Sequence, residues 1–488
     1  MRDSRRTKIV ATTGPAMWQP GALETIIRAG VDVVRLNFSH ADYDHFRELV
    51  TEIRSIAAGL GRPVAILGDL QGPKIRTGRL KGGGPVMLED GAECVITTQQ
   101  IEGTAERFST GYSDLARDVK PGEKILLSDG TRELEVIDKT DTELRCKVIV
   151  GGLLNQHQGI NLPGTRISAP AITEKDAADL EFCLEQKVDM VALSFVRSAD
   201  DIIDLRRRIA GRCLDMPIIA KIEKPQALEH IAAIMDVTDG IMVARGDLGV
   251  EMPAERVPLE QKHLIAMCNH LGKPVITATQ MLESMVDNPR PTRAEASDVA
   301  NAIFDGTDAV MLSAETAIGK HPAEAVATMG RIACAVEEAS FSDGYNRGEW
   351  RRHHDLDISR YVAPPETSVE AAIADAANGA ACELEADAIV VCTISGSTAR
   401  KIARRRPAAP ILALTPRTET YNRLALVWGV HPLQMEFGDQ TDAIIETGKR
   451  LLVESGWLKQ GDRVVIVSGA LPAIGATNLI KIHEIDFA

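Results

Sequence analysis

Residues 217–248, PIIAKIEKPQALEHIAAIMDVTDGIMVARGDL, decide the fold. An apolar run that ends in charge (PIIAKIE, 217–223) gives way to a helical interval, and a second such run (GIMVARGDL, 240–248) ends in charge again. Continuous apolar runs of this kind suit strands buried on both faces, as parallel strands are. Side chains two apart on a strand share a face, so Lys221 and Glu223 point one way and Ile222 the other. An ammonium beside a carboxylate, joined by Asp247 from the next strand end, is a site for a divalent cation and an oxyanion or phosphoryl group. A surface ion pair would look the same over so few residues. The rest of the chain separates the two readings.

The same unit recurs at TKIVATTG (7–14), VDVVRLNFS (31–39), PVAILGDL (63–70), VDMVALSF (188–195), PVITATQ (274–280) and AVMLSAE (309–315). Amphipathic segments such as GALETIIRAG and RAEASDVANAIFDG lie between most of them. Eight strands with this timing predict an α/β fold, a (β/α)8 barrel of the TIM type. Nearly every run ends in polar or charged residues, at the strand ends where such a barrel builds its active site. Between Leu70 and about Arg166 the rhythm breaks. Gly82-Gly83-Gly84, Pro121-Gly122-Glu123 and Ser128-Asp129-Gly130, with the alternating RELEVIDKT and ELRCKVIV, read as hairpins. They predict a β-rich, barrel-like lid over residues 71–166, inserted after the third strand, so that the catalytic barrel comprises 1–70 and 167–340. Residues 341–366 are polar and close on Pro-Pro, the marks of a linker. From 367 to 488, DAIVVCT, PILALT and RVVIVSG alternate with helical stretches, which predicts a separate open α/β-sheet domain.

Composition narrows the function. A chain of 488 residues is too long for one core. Its formal charge of −14 and 4% aromatic content speak against nucleic-acid binding, which needs a basic face and stacking platforms. The eight cysteines are scattered with no C-x-x-C pair, which favours reduced thiols in a cytoplasmic protein. MRDSRRTKIV has no long apolar core and no run of 18 apolar residues occurs, so neither a signal peptide nor a membrane span is expected.

Arg35, Asn37 and Ser39 fall on one strand face by period two. Arg35 suits phosphate by its fork geometry; Asn37, Ser39 and nearby Asp69 offer oxygens to a cation. In GDLQGPKIRTG, a Gly-Pro turn separates Asp69 from Lys74 and Arg76, marking both a hinge into the lid and a basic cluster. Thr279 ends strand seven with a hydroxyl, and Ser313 and Glu315 do likewise on strand eight. Thr292 and Glu295 form a capping box, flanked by Arg290 and Arg293 in structural or intersubunit roles. In CTISGSTARKIARRRP, Thr393, Ser395, Gly396, Ser397 and Thr398 lie between a strand and a helix start, an arrangement for an anion cradle or for simple N-capping.

Taken in order, VVRLNFSH, GDLQGPKIRTG, LPGTRISAPAITEKD, ALSFVRS, AKIEKP, ARGDLGVE, KPVITATQMLESM, RPTRAEASDVANAIFDGTDAVMLSAET and CTISGST make the chain resemble the pyruvate kinase family from about residue 6 onward. The resemblance implies transfer of a phosphoryl group from phosphoenolpyruvate to ADP, ending glycolysis with pyruvate and ATP, under allosteric control from the C-terminal domain. It implies Mg²⁺ (or Mn²⁺) on Glu223 and Asp247, Lys221 beside the phosphoryl group in transit, and Arg35 on the substrate phosphate. Gly246, Asp247 and Thr279 would cradle the substrate carboxylate, with Thr279 on the path of a proton shared with Ser313 and Glu315. His40, Arg76, Lys175 and Asn37 would face the nucleotide, and Asp129 would close the lid. Asn37, Ser39, Asp69 and the Leu70 carbonyl match the family's K⁺ ligands, and Thr393, Ser395, Gly396, Ser397 and Thr398 its phosphorylated-effector loop. A homotetramer is the family expectation.

Two departures qualify the resemblance. Many members carry a glutamate where this chain has Lys74, whose ammonium could supply the charge of K⁺; K⁺ is therefore expected to be dispensable. The stretch SGALPAIGATN lacks the longer glycine-rich loop of members activated by fructose 1,6-bisphosphate, so an effector with one phosphate is expected. A barrel aldolase working through a pyruvate enolate would share the carboxylate pair and the arginine, but has no use for the lid and the nucleotide-side basic residues. A weakly catalytic sensor would not need Lys221, Glu223, Asp247 and Thr279 together.

Overall fold

The structure, a computed structural model, describes residues 5–341, 368–469 and 477–486. Eight strands, Lys8–Thr12, Val33–Asn37, Ala65–Leu70, Met190–Leu193, Ile218–Ile222, Gly240–Ala244, Val275–Ala278 and Ala309–Leu312, close into a barrel in chain order. Each pairs in parallel with its neighbours. Both faces of these strands are apolar because both are covered. Val10, Leu67, Ile219, Met242 and Met311 fill the interior, while Ile9, Val34, Ile66, Val191 and Ile222 pack outward with the surrounding helices.

All eight expected strands are present, each shorter than its run: seven leave the barrel wall before the run ends, and PVAILGDL instead loses Pro63 and Val64 at its start. GIMVARGDL is the consequential case. The strand stops at Ala244, and Arg245–Glu251 is a helix, so Asp247 stands in a first helical turn and not on a strand end. Ser39 also departs from expectation. It lies in the turn Phe38–His40, beyond the strand that carries Arg35 and Asn37, and the Asn37 side chain caps that turn by accepting from the Ser39 N–H (3.2 Å).

The insert after the third strand forms a six-stranded sheet, ordered Ile160–Asn161, Lys124–Leu127, Arg132–Lys139, Glu143–Val150, Glu93–Thr97 and Arg107–Ser109. Val86–Leu88 pairs with Gly152–Leu154 beside it. Alternation in Arg132–Lys139 and Glu143–Val150 turns Leu134, Val136, Leu144 and Val148 into a separate core. The Gly82–Gly84 stretch is not a hairpin: Lys81–Gly83 is a single helical turn. Nor is Pro121-Gly122-Glu123, which joins the short helix Leu115–Asp118 to the strand Lys124–Leu127; Ser128-Asp129-Gly130 does turn between paired strands.

The C-terminal sheet is ordered Val430–Gln434, Ile411–Thr415, Ala388–Cys392, Arg463–Gly469 and Thr477–Glu484, with only the last strand antiparallel. It docks on the barrel floor. Ala425 and Leu426, in the turn Leu424–Leu426, join the cluster of barrel-interior residues. Arg406 pairs with Asp308 (3.1 Å) and donates to Gly306 O and Asn269 Oδ1 (both 2.6 Å). Of the linker expected over 341–366, only Phe341 is among the described residues, and SGALPAIGATN lies largely outside them. No disulfide joins the eight cysteines, and burial pushes the Cys94 thiol up to about 12.

Candidate active site at the barrel mouth

Asp69, at the end of the third strand, anchors the charges. Arg35 Nε donates to its Oδ2 (2.6 Å), and Lys221 Nζ lies 3.3 Å from its Oδ1. Lys221 also reaches Glu223 Oε1 (2.9 Å), so the two side chains do share a face, as their spacing requires. A third bond from Lys221 goes to Ser194 Oγ (2.7 Å), which donates in turn to the Leu70 carbonyl (2.7 Å). Burial alone would raise the Asp69 carboxyl, but Lys221 and Arg35 outweigh it and hold Asp69 below the usual carboxylate range. Burial works against the Lys221 ammonium too; Asp69 and Glu223 overcome it and keep Lys221 charged, above its ordinary value.

Glu223 is moved the other way. Burial raises its carboxyl, and the negative charge of Asp247 adds to the push against the pull of Lys221. Its Oε2 accepts the Phe195 N–H (2.7 Å), from a residue held at φ 54°. Among the described residues no group of three or more His, Cys, Asp or Glu side chains is arranged to hold a metal ion. The Glu223–Asp247 pair fits a different pattern. Mg²⁺ commonly takes one or two protein carboxylates and completes its shell with water and substrate oxygens, and two repelling carboxylates are the donor set such an ion relieves.

Beside this pair the backbone is strained. Thr279 holds φ 74° and Gln280 φ 54°, a left-handed conformation that is a genuine outlier for a β-branched residue. Arg245 holds it there: Nε donates to Ala278 O (3.1 Å), Nη2 to Thr279 O (2.7 Å), and Nη1 is anchored on Asp298 (2.7 Å). Gly246 lies so close that a Cβ would sit 2.5 Å from Thr279 Cγ2, which explains the glycine. Ser313 and Glu315 lie beyond strand eight, which stops at Leu312; Glu315, buried in the short helix Ala314–Ala317, accepts from Ser313 N–H (2.7 Å) and Leu282 N–H (3.0 Å) and ties that helix to the loop after strand seven. Arg35, Lys221, Glu223, Gly246, Asp247 and Thr279 thus converge on one mouth.

The residues expected on the nucleotide side are more dispersed. Lys175 pairs with Asp179 (2.7 Å) and donates to Phe38 O (2.6 Å). Arg76 bridges by backbone to Gly159, and its buried Nε has no hydrogen-bond partner among the described residues. Lys74 is exposed and lines a narrow cleft between lid and barrel with Phe195, Lys224 and Asp247. Asp129 and Lys74 flank Gly159 from the lid side. Nothing of the His40 side chain is described. The hinge itself is held from the barrel, where Gly72 (φ 69°) donates its N–H to buried Asp176 (2.9 Å). In the C-terminal domain, Thr393 Oγ1 accepts the Gly396 N–H (3.0 Å) and Ser395 Oγ the Ser397 N–H (3.4 Å), while Thr398 bonds Thr477 (2.6 Å). The loop is preformed and leads into the helix Ser397–Ala403.

The capping box on Thr292 and Glu295 is present as read. Three contributors escaped sequence reasoning. Ser194 could have been found, since it closes ALSF at a strand end like the other mouth residues. Phe195 acts through its backbone and Arg245 by reaching another loop, and neither leaves a signal in composition or spacing.

Comparison with known proteins extends this picture. Residues 4–326 match the model of the family described as "Pyruvate kinase, barrel domain", and 371–483 that of "Pyruvate kinase, alpha/beta domain". A pyruvate kinase of Geobacillus stearothermophilus is 47% identical over 486 residues, 99% of this chain and 81% of that protein. One of Staphylococcus aureus (strain USA300) is 45% identical over 482 residues, 98% of this chain and 80% of that protein.

Proposed function

The chain belongs to the pyruvate kinase family and is a phosphotransferase that passes the phosphoryl group of phosphoenolpyruvate to ADP; from that premise we propose how the mouth divides the work. In the reaction a terminal oxygen of ADP bonds to phosphorus, the bond from phosphorus to the enol oxygen breaks, and carbon 3 of the resulting enolate takes a proton. Such a transfer demands charge stabilisation and alignment more than covalent help.

Lys221 supplies a fixed positive charge to the phosphoryl group in flight. That ammonium, held between Asp69 at 3.3 Å and Glu223 at 2.9 Å, is the observation that carries the reading. Arg35, already oriented by Asp69, grips the substrate phosphate. The first-turn amides at Gly246 and Asp247 have no intrahelical acceptor and serve the substrate carboxylate together with Thr279. Thr279 lies where a proton must reach carbon 3, with Ser313 and Glu315 behind it. Family members generally use Mg²⁺ and K⁺; Glu223 and Asp247 would hold the divalent ion, which when bound adds Lewis-acid charge at the phosphate oxygens. Arg76, Lys175 and Asn37 face the nucleotide as the lid closes through Asp129.

Lys74 stands in for K⁺, whose ligands would be Asn37, Ser39, Asp69 and the Leu70 carbonyl. The loop from Thr393 to Thr398 receives an effector with one phosphate, and the assembly is a homotetramer. The test is pyruvate release from phosphoenolpyruvate and ADP with Mg²⁺, first without K⁺ or NH₄⁺ and then with K⁺. Full activity without K⁺ is expected. Activity only with K⁺ would discard the role of Lys74 while keeping the enzyme.

A further inference from the structure

Directly behind the Glu223–Asp247 pair lies a second pair, of opposite charges. Lys224 follows Glu223 in the chain, and Glu251 stands one turn after Asp247 on the same face of the helix Arg245–Glu251. Lys224 Nζ is 2.5 Å from Glu251 Oε1, and both residues are buried. Asn161, on the lid strand Ile160–Asn161, donates through Nδ2 to the same Oε1 (3.0 Å). Glu251 Oε2 has no protein donor among the described residues. The Lys224 ammonium also faces the ring of Phe195 (5.9 Å), the residue whose N–H holds Glu223.

The two pairs span the same gap. Segment 223–224 forms one side and the helix bearing Asp247 and Glu251 the other. At the mouth two carboxylates push these sides apart; one residue and one turn further back, an ion pair draws them together. A buried ion pair is a poor source of stability, because desolvation offsets most of its attraction. What this one supplies is a distance. We propose that Lys224 and Glu251 are positioning residues that hold Glu223 and Asp247 at the spacing a divalent cation requires, and that Asn161 ties the lid to this spacer. The inference rests on the reading of Glu223 and Asp247 as the cation's ligands. It makes lid position and cation affinity two readings of one oxygen atom, Glu251 Oε1.

The test is Mn²⁺ binding to the full chain, followed by electron paramagnetic resonance without substrate or nucleotide. Lys224→Met is expected to raise the Mn²⁺ dissociation constant about 10- to 100-fold, the usual weight of a partner one layer behind a ligand. Turnover at saturating Mn²⁺ is expected to recover, because the fault lies in spacing and not in the chemistry. Lys224→Arg should restore most of the affinity, and Asn161→Ala should cost about threefold, the weight of one shared hydrogen bond. Where Lys224→Met does not fold, the nearly isosteric Glu251→Gln carries the same expectation. Unchanged Mn²⁺ binding in the folded Lys224→Met or Glu251→Gln chain overturns the proposal, while loss of binding in Glu223→Gln would leave the ligand assignment standing. Mn²⁺ binding that survives both Glu223→Gln and Asp247→Asn would sink that assignment and the inference with it.

Discussion

The two ends of one barrel handle buried charge in opposite ways. At the floor, Asp308 accepts from Arg406 (3.1 Å), Trp428 N–H (3.2 Å) and Val275 N–H (3.0 Å), so its charge is spent on fastening two domains. At the mouth, Lys221 is set among Asp69, Glu223 and Asp247, and its bonds to Asp69, Glu223 and Ser194 are all made to other side chains of the mouth. Both networks hang on one closed ring of strands. What differs is what each network fastens: the floor network joins two domains, and the mouth network fixes charges of both signs beside the residues proposed to meet the substrate.

The contrast breaks most visibly at Lys221. Lys221→Gln keeps a donor for Glu223 but no charge, and turnover per folded enzyme is expected to fall about 10³-fold, or about 4 kcal/mol of transition-state stabilisation, by steady-state kinetics. Wild-type turnover would erase the distinction between the ends. Arg406→Met is the mirror experiment. It strands Asp308 without its cation, and denaturant unfolding should show a loss of about 3 kcal/mol with turnover of the folded fraction little changed.

Thr279→Gly probes the seam between the two behaviours. Glycine adopts φ 74° freely, so the barrel should gain about 1 kcal/mol in unfolding free energy, while exchange of pyruvate's methyl protons with solvent slows. A variant that gained stability and kept exchange would remove Thr279 from the proton path.

The smallest effect is expected back at the floor. His431 lies in a 570 Å³ cavity lined also by Arg5, Lys8, Asp32 and Trp457. Burial, reinforced by Lys8 and the nearby arginines against Asp32, holds its imidazole well below the ordinary value. The unfolded chain therefore binds a proton near pH 6.5 that the folded chain refuses, and stability must fall as pH drops below that value. A loss of about 1 kcal/mol per unit is expected in unfolding titrations, absent in His431→Phe.

The barrel was legible because its signal is repeated eight times and each repeat is apolar on both faces. The mouth was legible where it depends on residue type at a strand end, as with Arg35, Asp69, Lys221 and Glu223. It was illegible where backbone geometry decides. No residue type announces that Thr279 and Phe195 hold positive φ, or that the chain turns helical at Arg245 and lifts Asp247 off the strand. Lys224 was in plain view within AKIEKP, but its partner Glu251 is 27 residues away and on another element. Such pairs are products of folding, not of spacing.

Ala425 and Leu426 bear on how genes of this kind can be cut and rejoined. A reading frame ending with the helix Pro322–Phe341 would encode all eight strands, yet leave the interior cluster open to water where those two side chains enter. The C-terminal domain is the stopper of the bottle. Shuffling between relatives, in evolution or at the bench, must therefore move stopper and neck together, or refit one to the other before the chimera is fit to survive.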